Sequence, residues 1–531
     1  MNRNVRNDAI TLRSCRFPFA VMLRACAGML LFCCITGAAQ EIMTVPTYHW
    51  SYIYARELSL RHRQLDFSPA NWPVTLGDMA RLADTTGLAT ASAPERFWQM
   101  RLLQFARTPR AQKAWLQLGG RLSESAGDFG PAWHSRAGLR TQLALFPDRH
   151  VALVNAIRLD EELREDPNYL GKRWRGFAGY TEQAYVALHF GRYVAKLGRD
   201  FVRWGRGTDA TLLLSDYSRP LDHFFGRLTL APFRFDYLAA KLNSEYLPDS
   251  LRTRYATEVS ERYLAAARAE VRFKTNLLTL AVTQLVLYGG PGRGFELYYL
   301  NPLLAFHGEQ LNESLKSNTA GALDAVLRPR DGLECYAQLL IDDVQVEKTR
   351  RGDLEPNEIA FLLGGELAEP FGWRGVTLGL EYTRVANRTY NAITVWEKFL
   401  HRNRPLAHFL GNDFDRWLVH GRAYAGGNVQ LFYSYEARRH GEGRLERPFD
   451  MPWVNADLQQ GYREKFPSGV VERSTHVHLE ARWHATAGFH LALAAGHARY
   501  RNFANQAGRQ QQETSVRLQL GLEQFWWLGL E

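Results

Sequence analysis

The chain has 531 residues, of which 46% are apolar, 12% aromatic and 23% charged, with a formal net charge of +10. That composition excludes a wholly disordered chain, which lacks the apolar area to offset the entropy of ordering. The 43 Gly and 21 Pro are ordinary at this length and exclude collagen-like and low-complexity classes.

Residues 1–39 read as a secretory signal peptide. Arg3, Arg6, Arg13 and Arg16 precede a mostly apolar stretch, Phe17–Ala39, whose only charge is Arg24. Its core, Ala25–Ile35, is too short for a membrane anchor, and Gly37-Ala38-Ala39 supplies small residues for cleavage. None of Cys26, Cys33 and Cys34 sits in a good lipidation motif. Four of the five cysteines lie in this leader. The mature chain would keep only Cys335, which rules out an internal disulfide and any zinc site built on paired cysteines. Cleavage takes away five Arg and one Asp and leaves a charge of +6, too mild for a nucleic-acid partner.

Residues 40–110 read as a short periplasmic helical segment. In His49–His62, Trp50, Tyr54 and Leu58 are four apart, on one helical face. Thr75 followed by Asp78 marks a helix start. Pro94 opens a third stretch, with Phe97, Met100 and Leu103 at helical spacing.

From about Trp115 the period changes from helical to two. In Thr475–His484, the apolar Val477, Leu479, Ala481 and Trp483 alternate with His476, His478, Glu480, Arg482 and His484. Val516–Glu523 and Val376–Thr383 alternate as regularly, and Val429–Glu436, Leu333–Asp342, Asn276–Tyr288, Ala184–Leu197 and His150–Leu159 less so. Successive strand side chains point to opposite faces, so each segment has one apolar and one polar face. A soluble sandwich and a lipid-embedded, water-filled barrel both satisfy this. Three features favour the barrel. Many runs approach the ~9–11 residues a tilted membrane strand needs. The polar faces carry charges such as Lys274, Glu480 and Arg482. Aromatics gather near strand ends, as at Tyr433, Tyr435 and Phe525–Trp527, where interfacial girdles form. Long connections at Leu163–Glu182, Tyr246–Tyr263, Val385–Trp417 and Arg439–Ser474 suit extracellular loops. The fold expected is all-β, an outer-membrane barrel of about 16–18 antiparallel strands over residues 111–531.

Two blocks carry a family resemblance: Phe190–Ser215, FGRYVAKLGRDFVRWGRGTDATLLLS, and Leu285–Glu347, with YYLNPLLAFHGEQLNES, SNTAGALDAVL and YAQLLIDDVQVE. Together they resemble the capsule-assembly Wzi family of Gram-negative outer-membrane proteins. The matching positions include Gly191, Arg192, Gly198, Arg199, Trp204, Gly205, Gly207, Ser215, Asn301, Pro302, Asn318, Asp342 and Asp343. The sequence departs from the expected pattern at Arg206, where Pro was anticipated, and at its end, Leu530-Glu531, which is not aromatic. The resemblance implies a non-catalytic surface lectin that retains or organises capsular polysaccharide, needing no cofactor. Its partners would be surface glycan, outer-membrane lipid and, during biogenesis, the barrel-assembly machinery.

The residues themselves allow several readings. The glycines of the first block would relieve crowding at turns or in a curving strand. Arg192, Arg199, Arg203 and Arg206 would line a lumen and pair with Asp342 or Asp343, or else mark an anionic-glycan path. Asn301-Pro302 reads as a strand terminator, with Leu303–Leu311 a turn of helix folded inward. For sugar binding, aromatic faces beside Arg and amide groups select Tyr390, Trp396, Arg402 and Arg404 in one loop, and Trp453, Asn455, Tyr462 and Arg463 in another. An enzyme is disfavoured: G-x-S-x-G, H-E-x-x-H and the phosphate-loop pattern are absent. His307 with Glu309, and His476 with His478, have a spacing that metal pairs use, but sixteen His make that a common coincidence. The alternative function is a diffusion channel, which depends on whether Asn301–Ser314 and the N-terminal helices block the lumen.

Overall fold

The computed structural model describes residues 42–84, 92–106, 114–127, 130–255, 257–274, 276–312, 316–345, 349–485 and 488–528. The expected signal peptide lies outside the described residues. Among the described residues the first helices are α1 (Ser51–Arg61), α2 (Leu76–Asp84) and α3 (Ala93–Ala106). Thr75 and Asp78 exchange backbone-to-side-chain hydrogen bonds at the start of α2, as the sequence predicts. Ser92 and Glu95 do the same at α3, so the residue before the predicted Ala93-Pro94 start completes the cap.

Eighteen long strands follow. They are β1 (Ala114–Gly127), β2 (Gly130–Asp148), β3 (Val151–Asp160), β4 (Ala178–Phe190), β5 (Tyr193–Asp200), β6 (Leu221–Leu230), β7 (Phe233–Lys241), β8 (Val259–Phe273) and β9 (Leu278–Gly290). The second half comprises β10 (Ser317–Arg330), β11 (Leu333–Asp343), β12 (Glu358–Ala368), β13 (Val376–Val385), β14 (Phe414–Ala425), β15 (Val429–His440), β16 (Glu472–His484), β17 (Phe489–Arg501) and β18 (Gln510–Leu528). Each pairs antiparallel with the next. β18 then pairs with β1, from Ala114↔Leu528 to Gly127↔Ser515, and closes the sheet. Closure leaves no unpaired edge, which hydrocarbon would not tolerate. The run Ala184–Leu197 proves to be two strands, because Gly191 adopts a left-handed φ of 61° and turns the chain.

The alternation sets the faces as predicted. Leu479, Trp483, Leu493, Leu518 and Leu522 are exposed on the outer wall, whereas Arg482, His484 and Ala492 face in. Trp526 lies outside near its strand end, at a girdle position, whereas Tyr433 and Tyr435 face outward from the middle of β15 and not from its end as expected. Phe525 instead points inward, 6.3 Å from Phe105 of α3. At one end every connection is short: 149–150, 191–192, 231–232, 274–277, 331–332, 369–375, 426–428 and 485–488. The other end carries the long ones, including 161–177, 201–220, 242–258, 291–316, 386–413 and 441–471. Short turns mark the periplasmic end of such barrels and long loops the outside.

The lumen is occupied from both ends. From the short-turn end, α1 enters: Arg56 donates to Glu366 of β12 at 2.9 Å, and Glu57 binds Arg422 of β14 and Thr377 of β13. Leu60 O accepts from Gly332 N at 2.7 Å, tying α1 to a turn. Trp98 of α3 packs edge-on to Tyr424 at 4.7 Å. From the long-loop end, segment 201–220 dives inward. Its Arg203-Trp204 pairs antiparallel with Asn71-Trp72, so the two fillers meet as a two-stranded sheet. Trp204, Leu212, Leu213 and Leu214 join Tyr390, Phe399 and Leu406 of the 386–413 loop in one buried cluster against the wall residues Leu285, Leu340 and Leu362.

Segment Asn301–Asn312 does not fold inward as predicted. Tyr299 and Phe306 pack on Val286 and Tyr288, which share the outer face with the exposed Leu280 and Val282. Ala265 on β8 also belongs to this cluster and is small enough to let the loop lie flat against the outer wall. Residues 313–315, and with them Ser314, lie outside the described residues.

Glu57 has no exposed surface and binds both Arg61 (2.6 Å) and Arg422. Glu57→Ala takes the nearest carboxylate from both guanidinium groups, leaving Arg422 with Glu366 and Arg61 with Glu369 at 3.7 Å, and should cost about 3 kcal/mol. The expected outcome is a lower midpoint for heat conversion of the compact barrel to the unfolded band in electrophoresis. An Arg422→Ala/Glu57→Ala double variant should lose less than the sum of the two singles.

Candidate functional site

Many of the charged groups inside the barrel are paired. Arg206, fully buried in the inward segment, donates to Glu334 (2.7 Å), to Glu366 (2.9 Å) and to Gly207 O (3.0 Å), and lies over the Tyr336 ring. Glu366 also accepts from Arg56 and from Arg422 at 3.2 Å. This explains the Arg at the position where Pro was anticipated: it anchors the segment to the wall. The two neighbouring glycines are required there. A Cβ on Gly205, at φ 110°, would sit 2.1 Å from Gln338 Nε2, and one on Gly207 would sit 1.8 Å from Ala210 O. On the opposite wall, Arg121 and Arg158 bind Asp160, Arg136 binds Glu165, Arg517 approaches Glu162, and Arg482 binds Glu480. Arginines and carboxylates alternate there, so this half of the lumen is polar without a net anion-attracting charge. A cavity of about 370 Å³ at its floor is lined by Tyr48, His49, Trp50, Arg140, Glu182 and Glu523, among others.

The four arginines of the first sequence block take separate paths. Arg192 is exposed in the β4–β5 turn. Arg199 faces outward and binds Asp222 through two hydrogen bonds of 2.7 and 2.6 Å. Arg203 donates to Gly207 O and approaches Asp216 at 3.4 Å. Asp342 accepts instead from Tyr390 N at 2.6 Å, and Asp343 from Gln345, so the expected pairing with Asp342 or Asp343 is replaced. The other matched positions are structural. Gly198, at φ 133°, lies where a Cβ would meet Ala184 O. Ser215 N donates to Leu406 O, Asn301 Oδ1 accepts from Leu303 N before Pro302, and Asn318 reaches Glu397 O at 3.5 Å. His307 binds Thr319 and Glu309 binds Tyr298, so that pair does not converge.

The eight predicted sugar contacts divide in the same way. Tyr390 is buried, donates to Leu212 O and packs on Phe399 at 5.1 Å. Trp396 is buried, and its carbonyl accepts from Arg262. Trp453 is buried beneath Arg388, 4.8 Å from the ring centre. These three rings hold loops together and offer no free face for stacking. Arg402 and Arg404 are half-buried; Arg402 N donates to Asn243, and Arg404 donates to Asp166 at 2.5 Å and lies over Tyr217. Asn455 and Arg463 are exposed and Tyr462 half-buried.

The sequence reading passed over a better-placed group. Within loop 161–177, Lys172, Arg173, Trp174 and Arg175 are all exposed, Trp174 by 65%. Trp174 and Phe177 exchange two backbone hydrogen bonds of 2.8 Å, which close a tight turn through Arg175 (φ 44°) and Gly176 (φ 93°). Below it, Tyr169 is buried with Leu163 and Ala178, and its hydroxyl donates to Gly179 O at 2.8 Å. Asp166 ties this loop to its neighbours through Arg404 and Arg219 (3.3 Å). The outcome is an exposed indole among cations on a fixed base. The signal available in sequence was Lys-Arg-Trp-Arg-Gly within a long connection.

The family description "Capsule assembly protein Wzi" matches residues 110–515. The chain belongs to the Wzi family. It is accordingly a protein of the Gram-negative outer membrane. Among solved structures it is similar to Wzi of Escherichia coli, with 15% identity over 90% of this chain and 99% of that one, at a TM-score of 0.60. It is more distantly similar to OprD of Pseudomonas aeruginosa (11%, 78% and 95% covered, TM-score 0.44) and OccD3 of the same organism (12%, 77% and 91%, TM-score 0.44). No curated protein matches it in sequence. The Escherichia coli likeness reinforces the barrel fold.

Near the outer rim, loop residue Glu355 has its carboxyl pushed up to about 7 by burial and then by the negative charge of Asp343. A raised carboxyl stabilises the folded state below its unfolded value and loses that contribution as pH rises through about 7. Stability should therefore fall between roughly pH 4.5 and 7. Glu355→Gln should match wild type at pH 4 and exceed it by about 1 kcal/mol at pH 8 after solvent screening, measured by denaturant unfolding.

Proposed function

We propose that this Wzi-family protein binds anionic surface polysaccharide at the outer face of the cell and helps hold it there, without catalysing a reaction on it. The observation that carries this reading is the exposed Lys172–Arg175 tip, with an aromatic face for a sugar ring and cations for its acidic substituents. The description of the Escherichia coli protein of the same fold, a carbohydrate-binding barrel involved in group 1 capsule assembly, agrees in kind. Arg402, Arg404, Asn455, Tyr462 and Arg463 extend the surface such a chain would cross; Tyr390, Trp396 and Trp453 act by holding the loops. A diffusion channel is the weaker reading, because α1–α3 and the 201–220 and 386–413 segments fill the lumen.

Deleting the gene in the native host should shift polysaccharide from the cell-bound to the shed fraction at equal total synthesis, with restoration by the wild-type gene. Unchanged partitioning would reject the retention role. In purified protein, Trp174→Ala should weaken binding of the host's polysaccharide about two- to tenfold, the range of one aromatic contact. Trp453→Ala should act through loop stability instead. Equal affinity of wild type and Trp174→Ala would move the contact surface away from this tip.

A further inference from the structure

The outer wall carries a feature that sugar binding does not use. Segment 291–312 is an outside loop that folds back along the exterior of the barrel. Its Leu297 and Leu303 are 82% and 86% exposed, and Phe295 is also exposed, which is unfavourable in water and natural in hydrocarbon. Beside it, the wall has a groove of about 990 Å³, at the top of the range of small-ligand sites. Ala195 and Gly226, paired across β5 and β6, form a floor without bulk. Leu197, Phe224 and Tyr237 form the sides, and Leu300 of the loop closes over one flank. The Tyr237 hydroxyl donates to Tyr299 O and fixes the loop at that flank. Where the groove meets the long-loop end, the apolar lining gives way to charge: Lys241 with Glu261 at 2.9 Å, and Arg199 with Asp222.

We propose that this groove seats acyl chains of a phosphorylated, multiply acylated glycolipid of the outer leaflet, with Lys241 and Arg199 facing its phosphates. Three observations select that occupant. The groove lies on the lipid-facing wall of a membrane barrel, continuous with the exposed leucines around it. Its lining is apolar up to a rim of charges at the long-loop end, the level of outer-leaflet headgroups. The loop that flanks it exposes leucines that a hydrocarbon environment satisfies. A second copy of the chain or an ordinary phospholipid would instead disregard either the apolar groove or its charged rim, where Lys241 and Arg199 stand beside Glu261 and Asp222. This inference is independent of the glycan-binding reading.

The test uses the full-length mature protein, stripped of lipid in detergent and offered hexa-acylated lipid A or phosphatidylglycerol, with native mass spectrometry as the readout. Wild type should retain one lipid A under activation that removes phosphatidylglycerol. Ala195→Trp, which fills the floor from the outside, should lower retention at least tenfold, the effect of losing about two buried methylene contacts. Lys241→Glu, on the rim, should lower retention of lipid A while leaving the heat-conversion midpoint of the barrel unchanged, and it guards against a misfolded Ala195→Trp variant. A photoreactive benzoylphenylalanine at position 303 should crosslink to glycolipid in native membranes. Retention unchanged in both variants, equal retention of the two lipids by wild type, or crosslinking from position 303 to a second copy of the chain would each overturn the proposal.

Discussion

Glu366 joins three parts of the chain that are far apart in sequence. Its two oxygens accept from Arg56 of the first helix, Arg206 of the inward segment and Arg422 of the barrel wall. With Glu57 and Glu334 it forms a buried network in which each charge has a partner. Such a network adds little net stability over an apolar core of the same shape, because desolvation offsets attraction. What it supplies here is position. A barrel of eighteen strands is too wide for its own side chains to fill. The helices and loops that fill it must be held at one depth and rotation, and charges with fixed partners do this better than interchangeable leucines.

The barrel itself was readable from residue order. Alternation gives the wall, because the lipid and the wet interior impose opposite chemistry on successive residues. The helix starts were readable because Thr75 and Asp78 satisfy local backbone groups within one turn. The interior was not readable, because its contacts are non-local. Nothing near Arg206 in sequence reveals Glu334 or Glu366, each more than a hundred residues away. The outward course of Asn301–Asn312 was hidden for a similar reason: an apolar turn fits either side of a wall, and the small residues that admit it on the outside, such as Ala265, belong to another strand.

The candidate site shows the same division. Tyr390, Trp396 and Trp453 have the composition of a sugar platform, but aromatic residues in long loops are equally apt to pack those loops together, and here they do. Trp174 has the same side chain in a tip of charged neighbours, where it stays 65% exposed with the Arg175 guanidinium 5.7 Å from its ring centre. Composition alone selects both kinds of tryptophan; the availability of a neighbouring apolar surface separates them.

The short pairing of Asn71-Trp72 with Arg203-Trp204 bears on how the molecule is made. It joins a segment that precedes every wall strand to one that hangs between the fifth and the sixth, at a point enclosed by the wall. The seam between the first and last strands runs from Ala114↔Leu528 to Gly127↔Ser515. Once that seam has zipped, the interior is reached only through ends already crowded by helices and loops. The filler therefore cannot be threaded into a finished cylinder. It has to be gathered while the sheet is still an open, curling ribbon, so that the wall wraps around its contents and the first-made part of the chain waits inside for the last.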